Sequence, residues 1–290
     1  MASVIRRNAK TNGSLTFGDL AERWLEDWSR HHCRSHGANA SRLRCHIIPL
    51  IGDMTPDGLT EYELDRLAGK FLNRGLSAKS VNNCLLLVSS ILNRSSRWKL
   101  ITKRTVRCQL LSVPEPPISV LSEDELRAVF KAAEIEYKGI FEFIYLTGRR
   151  KREVLDLTAE QVDFHGKAIR LTASKSLRLV SVPLIEPAME IIQERYGSAN
   201  PWIFPSPRTG MPYADIRKPW RRALREARIE KPYTIHHLRH SCASHLLFKT
   251  GDLRLVQQML GHRSIQTTTR YARLNIEWMR EKMEVLSLGL

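Results

Sequence analysis

Cysteine is scarce in this chain, and its spacing forms no pairs. Five occur, at Cys33, Cys45, Cys84, Cys108 and Cys242; the count is odd and no CxxC exists. That argues against a disulfide framework and fits a reducing cytosolic or nuclear compartment. The His31-His32-Cys33 and Cys45-His46 groups match no common zinc spacing. Long apolar runs are missing too. No stretch approaches the roughly 18 residues that cross a bilayer, and the opening MASVIRRNAK has no apolar signal core. The expectation is a cytoplasmic protein with no membrane partner. Internal repeats and low-complexity segments are absent. Acidic residues are in deficit: 30 against 46 basic ones, a net charge of +16. A ribosome-like or merely soluble basic protein would share that surplus, but a polyanion, nucleic acid first, is the partner it favours.

What is present fits two domains. The chain has 290 residues, 42% of them hydrophobic, enough for a sizeable core. Residues 1–13 read as a mobile basic tail. Thr16 with Asp19 opens a helix in capping-box spacing, with Phe17, Leu20, Trp24 and Trp28 on one face. A second helix is predicted from about Ala38. Thr60 with Glu63 caps a third, which Gly75 closes, and Ser77 opens a fourth with Val81, Leu85, Val88 and Leu92 inward. This bundle of about four helices ends in a run without acids: Arg94, Arg97, Lys99, Lys103, Arg104 and Arg107. The run reads as a phosphate-contacting edge, although a solvated helix end would look the same.

The segment VPEPPISV, residues 113–120, holds three prolines in four residues and reads as a stiff linker. Beyond it, Ser122 with Glu125 caps a helix, and Ile140 to Leu146 reads as a buried one. Lys167–Thr172 and Leu179–Leu184 then alternate as two strands of a hairpin with Lys175 near its tip. Helical patterns resume at Glu186, interrupted by a short apolar piece at Trp202–Phe204.

Four pieces of this second domain can carry chemistry. Thr147-Gly148-Arg149-Arg150-Lys151-Arg152-Glu153 sits at a turn opening a helix, where an anion is favoured. Lys175 is the second. His236 and Arg239 share a helical face. His262 and Tyr271 close the set. A phosphodiester asks for such groups. Two arginines grip the non-bridging oxygens. An imidazole helps a phenol, of ordinary pKa about 10, to lose its proton. A lysine protonates the leaving 5′-oxygen. The resulting phosphotyrosine keeps the ester for rejoining, and neither metal nor nucleotide cofactor is required.

The order Arg, Lys, His-x-x-Arg, His, Tyr resembles the tyrosine recombinase (phage integrase) family. Its TGLR-x-x-E box is matched by Thr147, Gly148, Arg150 and Glu153. Its hairpin lysine is matched by Lys175 ahead of Val182-Pro183-Leu184. Its H-x-L-R-H box is matched by His236, Leu238, Arg239 and His240, and its LGH box and tyrosine by Leu260, Gly261, His262 and Tyr271. The resemblance implies a mainly α fold with a small β-sheet. A SAM-like, core-binding helical DNA-binding domain (14–112) would precede an α+β catalytic domain of the DNA breaking-rejoining type (121–290), the two closing on duplex DNA as a C-shaped clamp. It implies Tyr271 as nucleophile, Arg150 and Arg239 as the phosphate clamp, Lys175 as general acid, His236 as base or proton shuttle, and His262 as phosphate support. Glu153 and His240 would be structural. DNA contacts are expected at Arg94, Arg97, Lys99, Lys103, Arg104, Arg149 and Lys151.

Arg149 departs from the family, which usually has an apolar residue there; Lys151, Arg152 and His237 make the boxes more basic still. The expected function is site-specific recombination as the integrase of a phage or mobile element, acting as a tetramer on paired sites, with a directionality or bending factor as a further partner. A C-terminal helix over 276–290 would pack on a neighbouring subunit. The short stretch before Thr16 leaves no room for an arm-binding domain, which keeps a Xer-type resolvase as the alternative. A type IB topoisomerase, a DNA-binding protein without cleavage and a metal-dependent nuclease fit less of the set.

Overall fold

The computed structural model describes residues 15–102, 107–114, 118–172, 179–196, 200–262, 264–272, 280 and 283–284. The chain divides into two compact units, Met1–Glu115 and Pro116–Leu290. The basic tail, most of the segment 276–290, the hairpin tip with Lys175, and Lys103 and Arg104 lie outside the described residues.

The first unit is a helical bundle. Helix α1 (Phe17–Arg23) starts as the capping box directs: Thr16 Oγ1 accepts from the Asp19 amide at 3.2 Å, and the Asp19 carboxylate accepts from the Thr16 amide at 3.0 Å. It runs on through a π-helical stretch, Trp24–Ser29, to Arg30–His32. Helix α2 (His36–Arg42) begins two residues before Ala38 and continues through a second π-helical stretch, Leu43–Ile47, into Ile48–Ile51. Helix α3 (Glu61–Asn73) forms only half of its predicted box. Thr60 Oγ1 accepts from the Glu63 amide, but the Glu63 carboxylate accepts instead from Arg66 at 2.9 Å. Helix α4 (Ala78–Arg97) follows Ser77 and buries Val81, Leu85, Val88 and Leu92 against Phe17, Leu20, Leu43 and Phe71. The Asn82 amide then brackets Leu111, donating to its carbonyl at 2.9 Å and accepting from its N–H at 2.8 Å. That pair ties the chain after α4 back onto the bundle.

The second unit sets helices around one small sheet. Helix α5 (Glu123–Ala132) carries the full Ser122–Glu125 box. The apolar α6 (Ile135–Thr147) ends at Gly148 and is followed by the short α7 (Lys151–Leu155). Strands β1 (Val162–Asp163), β2 (Ala168–Thr172) and β3 (Leu179–Pro183) form an antiparallel sheet in that order, β2 and β3 registered from Ala168↔Pro183 to Thr172↔Leu179. The two-residue β1 is too short to read from alternation. Helices α8 (Glu186–Gln193), α9 (Arg217–Glu226), α10 (Ile235–Thr250), α11 (Leu253–Leu260) and α12 (Gln266–Ala272) complete the unit.

Its core centres on Phe141, Phe143, Phe204 and Trp220. Trp220 meets Phe141 edge-on at 5.0 Å and donates Nε1–H to the Tyr233 carbonyl at 2.8 Å, so its one polar atom is satisfied inside. Helix α10 packs against α6, α11 and α12, which brings the ends of several elements to one place. Among the described residues no helix is long and apolar enough to cross a membrane.

The α5 box sits where the unit begins and satisfies two amides that the helix itself leaves unpaired. Ser122→Ala is expected to destabilise this unit by about 1 kcal/mol, measured as a lower urea midpoint at unchanged slope; an unmoved midpoint would contradict that role for the cap.

Candidate active site

The site begins with Gly148. Its φ of +61° is a left-handed turn that suits glycine, and a Cβ there would stand 3.0 Å from Leu260 Cδ2 and from Met259 Cε. The turn ends α6 and delivers Arg150 to the N-cap of α7. Glu153 holds Arg150 twice, accepting from its backbone N–H at 3.1 Å and from Nη1 at 2.8 Å. Burial opposes the charge on Glu153, but these bonds outweigh it and hold the carboxyl below its ordinary pKa. The Arg150 guanidinium is left exposed.

Arg239 is 2% exposed. Its Nη1 donates to the Gly148 carbonyl at 2.7 Å, and its Nη2 donates to the Leu260 carbonyl at 2.8 Å. Those carbonyls belong to the C-terminal ends of α6 and α11, where helix dipoles are negative. Nη2 also lies 3.1 Å from His262 Nε2. A guanidinium only donates, so Nε2 of His262 accepts; the ring proton sits on Nδ1, which is 2.9 Å from Thr268 Oγ1. Burial, then the nearby guanidiniums of Arg239, Arg150 and Arg149, push the His262 pKa down to about 4. Burial and the other two arginines likewise bring Arg239 down to about 10.

Tyr271, on α12, is 5% exposed and packs with Ala243, Leu247, Val256 and Leu260. Its hydroxyl lies 2.8 Å from His240 Nδ1. Burial raises the phenol's pKa although Arg239 and Arg270 pull the other way. His240 is pushed down to about 3, by burial first and then by His236 and His237. A neutral phenol therefore faces a neutral imidazole.

The structure thus brings Arg150, His236, Arg239, His262 and Tyr271 together around α10 and adds His240. The imidazole on the phenol is His240, expected to be structural, while His236 stands at the exposed edge with its ring centre 4.5 Å from that of His240. His237 closes the capping box of α10, its Nδ1 accepting from the Thr234 amide at 2.8 Å.

The expected DNA contacts divide. Arg149 does not reach the surface. It is 4% exposed, its side chain turned inward beneath the Leu260–His262 turn. Lys151 is half-buried, and Arg97 and Lys99 are exposed at the end of α4. The Arg94 guanidinium lies 3.3 Å over the Trp28 ring, which stacks in turn on His32 at 3.8 Å. Arg152 bonds the Asp156 carboxylate and the Tyr213 carbonyl. The residue pattern also passed over a basic face on and just beyond α9, where Arg217, Lys218, Arg221, Arg222, Arg225 and Arg228 are all exposed. Their spacing, with Trp220, Ala223 and Leu224 buried behind them, was the available signal.

The Phage integrase family profile matches residues 119–277. The integrase of Salmonella phage P22 is 28% identical over 306 residues, covering 90% of this chain and 76% of that protein. The tyrosine recombinase XerD of Pseudomonas putida is 29% identical over 236 residues, covering 74% and 78%. Among solved structures, the Tn1549 transposon integrase in complex with transposon right end DNA superposes with a TM-score of 0.75 at 18% identity, over 94% of this chain and 100% of that one.

Two of the five histidines that burial pushes down, His240 and His262, set the width of a pH dependence. Both are neutral in the folded protein, whereas an ordinary histidine takes up its proton near 6.5. The unfolded chain therefore binds more protons as pH falls. The stability they contribute is complete above pH 6.5 and is lost through the window down to about 4 for His262 and about 3 for His240. The urea midpoint is expected to fall across that window, and His262→Gln to flatten the fall; an equal slope in both proteins would refute it.

Proposed function

From the premise that this chain belongs to the phage integrase family, whose members are tyrosine recombinases, we propose that it is a site-specific DNA recombinase serving a phage or other mobile element. The reading rests above all on Tyr271 and His240 meeting at 2.8 Å beside the Arg239–His262 pair. The match to a phage integrase over 90% of this chain and 76% of that protein supports the biological role.

The chemistry is a transfer between oxygens. The Tyr271 oxygen attacks a backbone phosphorus; a P–O(tyrosine) bond forms and the bond to the 5′-oxygen breaks, leaving a 3′-phosphotyrosine. The phenol's proton passes to His240, the nearest imidazole. His240 is a weak base, so the transfer needs the phosphate and its arginines to stabilise the phenolate first. Arg150 and Arg239 bind the non-bridging oxygens, Arg239 keeping its two carbonyl bonds, and His262 orients Arg239 through Nε2. Lys175 gives the 5′-oxygen its proton. Rejoining runs the same steps backward with a new 5′-hydroxyl. The buried phenol must swing out of its apolar cluster to reach phosphate, which ties cleavage to movement of α12.

DNA is held, in this reading, by the core-binding unit over 14–112 through Arg97 and Lys99, and by Lys151 and the basic face of α9 in the catalytic domain. Four protomers act on two paired sites, and a directionality or bending factor sets the outcome. Phosphate contacts position the protein without choosing a sequence.

A nicked suicide duplex carrying a candidate attachment site tests the proposal, with excess chelator present. Wild type is expected to form a covalent protein–DNA adduct on a denaturing gel, and Tyr271→Phe none. Arg150→Ala should slow adduct formation by about 100-fold or more. An adduct with Tyr271→Phe, or none with wild type across a random-site library, refutes tyrosine cleavage. Exchange only between identical sites on one circle would replace the integrase role with that of a resolvase.

A further inference from the structure

One side chain of the Thr147–Glu153 turn has no part in this mechanism and no access to the surface. Arg149 stands where the family it resembles usually carries an apolar residue, and it occupies the buried position such a residue would fill. Its Nε donates to the Thr147 carbonyl at 3.3 Å, at the end of α6. Its Nη2 is buried and has no hydrogen-bond partner among the described residues. Its Nη1 lies 3.9 Å from where a Cβ on Gly261 would stand, beside His262. A guanidinium keeps its proton even when buried.

The surroundings do not neutralise this charge. Arg150 and Arg239 are nearby cations, and Glu153 is the carboxylate that acts on Arg149. That carboxylate is already engaged twice by Arg150. Three guanidiniums thus share one anionic group. A buried charge without full pairing destabilises the protein that contains it. A methionine or leucine would fill the same space without that penalty.

We propose that Arg149 is a positioning residue for phosphate chemistry: a buried third guanidinium that keeps the site unsatisfied until an anionic phosphodiester occupies it, acting through Arg239 and His262. The inference rests on the reading of this site as a phosphodiester-cleaving centre. A charge held in a low-dielectric interior is weakly screened, so its field reaches the phosphate without contact. The field strengthens as negative charge builds on the phosphoryl oxygens. It also helps keep His262 neutral and able to accept from Arg239.

The wild-type chain, Arg149→Met and Arg149→Lys separate this role from a packing role. Three quantities are measured: the melting temperature without DNA, its rise on adding inorganic phosphate, and the single-turnover rate of adduct formation at saturating nicked DNA. Arg149→Met is expected to melt at a higher temperature than wild type and to show a smaller phosphate-induced rise. It should form adduct about tenfold more slowly at unchanged DNA affinity. Arg149→Lys, whose buried ammonium sheds its proton more readily than a guanidinium, should recover the rate only in part. An Arg149→Met protein that cleaves at the wild-type rate, melts lower or fails to fold overturns the proposal. If wild type itself forms no adduct, the reading of the site fails, and the phosphate-induced shift decides the role of Arg149 alone.

Discussion

The Arg239 guanidinium holds the site together. It is a buried cation whose principal partners are not carboxylates but the carbonyl ends of two helices, at Gly148 and Leu260. Each end supplies an unpaired carbonyl and the negative pole of a helix dipole. One side chain therefore fixes where α6 stops, where α11 stops, and how α10 lies between them. Glycine suits position 148, where the bonded carbonyl sits, because φ is +61° there and a Cβ would stand 3.0 Å from the side-chain ends of Leu260 and Met259. The same guanidinium sets the tautomer of His262, and through it the bond to Thr268 on the helix that carries Tyr271.

Around that anchor the electrostatics run against stability. Burial and crowded positive charge drive His240 and His262 far below the ordinary histidine pKa. Arg239 loses basicity for the same two reasons, and Arg149 adds a charge that nothing fully pairs. Perturbations of this kind collect where a protein is shaped for a charged ligand rather than for its own resting state. Tyr271 sits at the opposite extreme, in an apolar cluster that favours the neutral phenol. Phenol and charged cradle are adjacent but distinct environments, and in the proposed cleavage the first enters the second.

Much of this was legible before any coordinate. The caps at Thr16, Ser77 and Ser122 started helices where their hydroxyls predicted, because an N-cap is a local hydrogen bond. The inward faces of α1 and α4 followed from three- and four-residue spacing. Other features left no local mark. The two π-helical stretches do not change the apolar spacing enough to show. The Thr60 box lost its second half because Glu63 found Arg66 on its own helix, a competition that spacing cannot rank.

The titratable groups, their order and the elements that carry them follow from the residues alone, since motif spacing and helix caps are properties of neighbours along the chain. Which group faces which comes from packing. His236 and His240 lie one turn apart on one helix and differ little as sequence; the packing of α12 on α10 puts Tyr271 against His240. Arg149 and Arg150 are consecutive arginines in one basic run, yet the left-handed turn at Gly148 sends the first inward and the second to the surface. Burial and partners come from contacts between distant segments, and those contacts separate an exposed arginine from a hidden one.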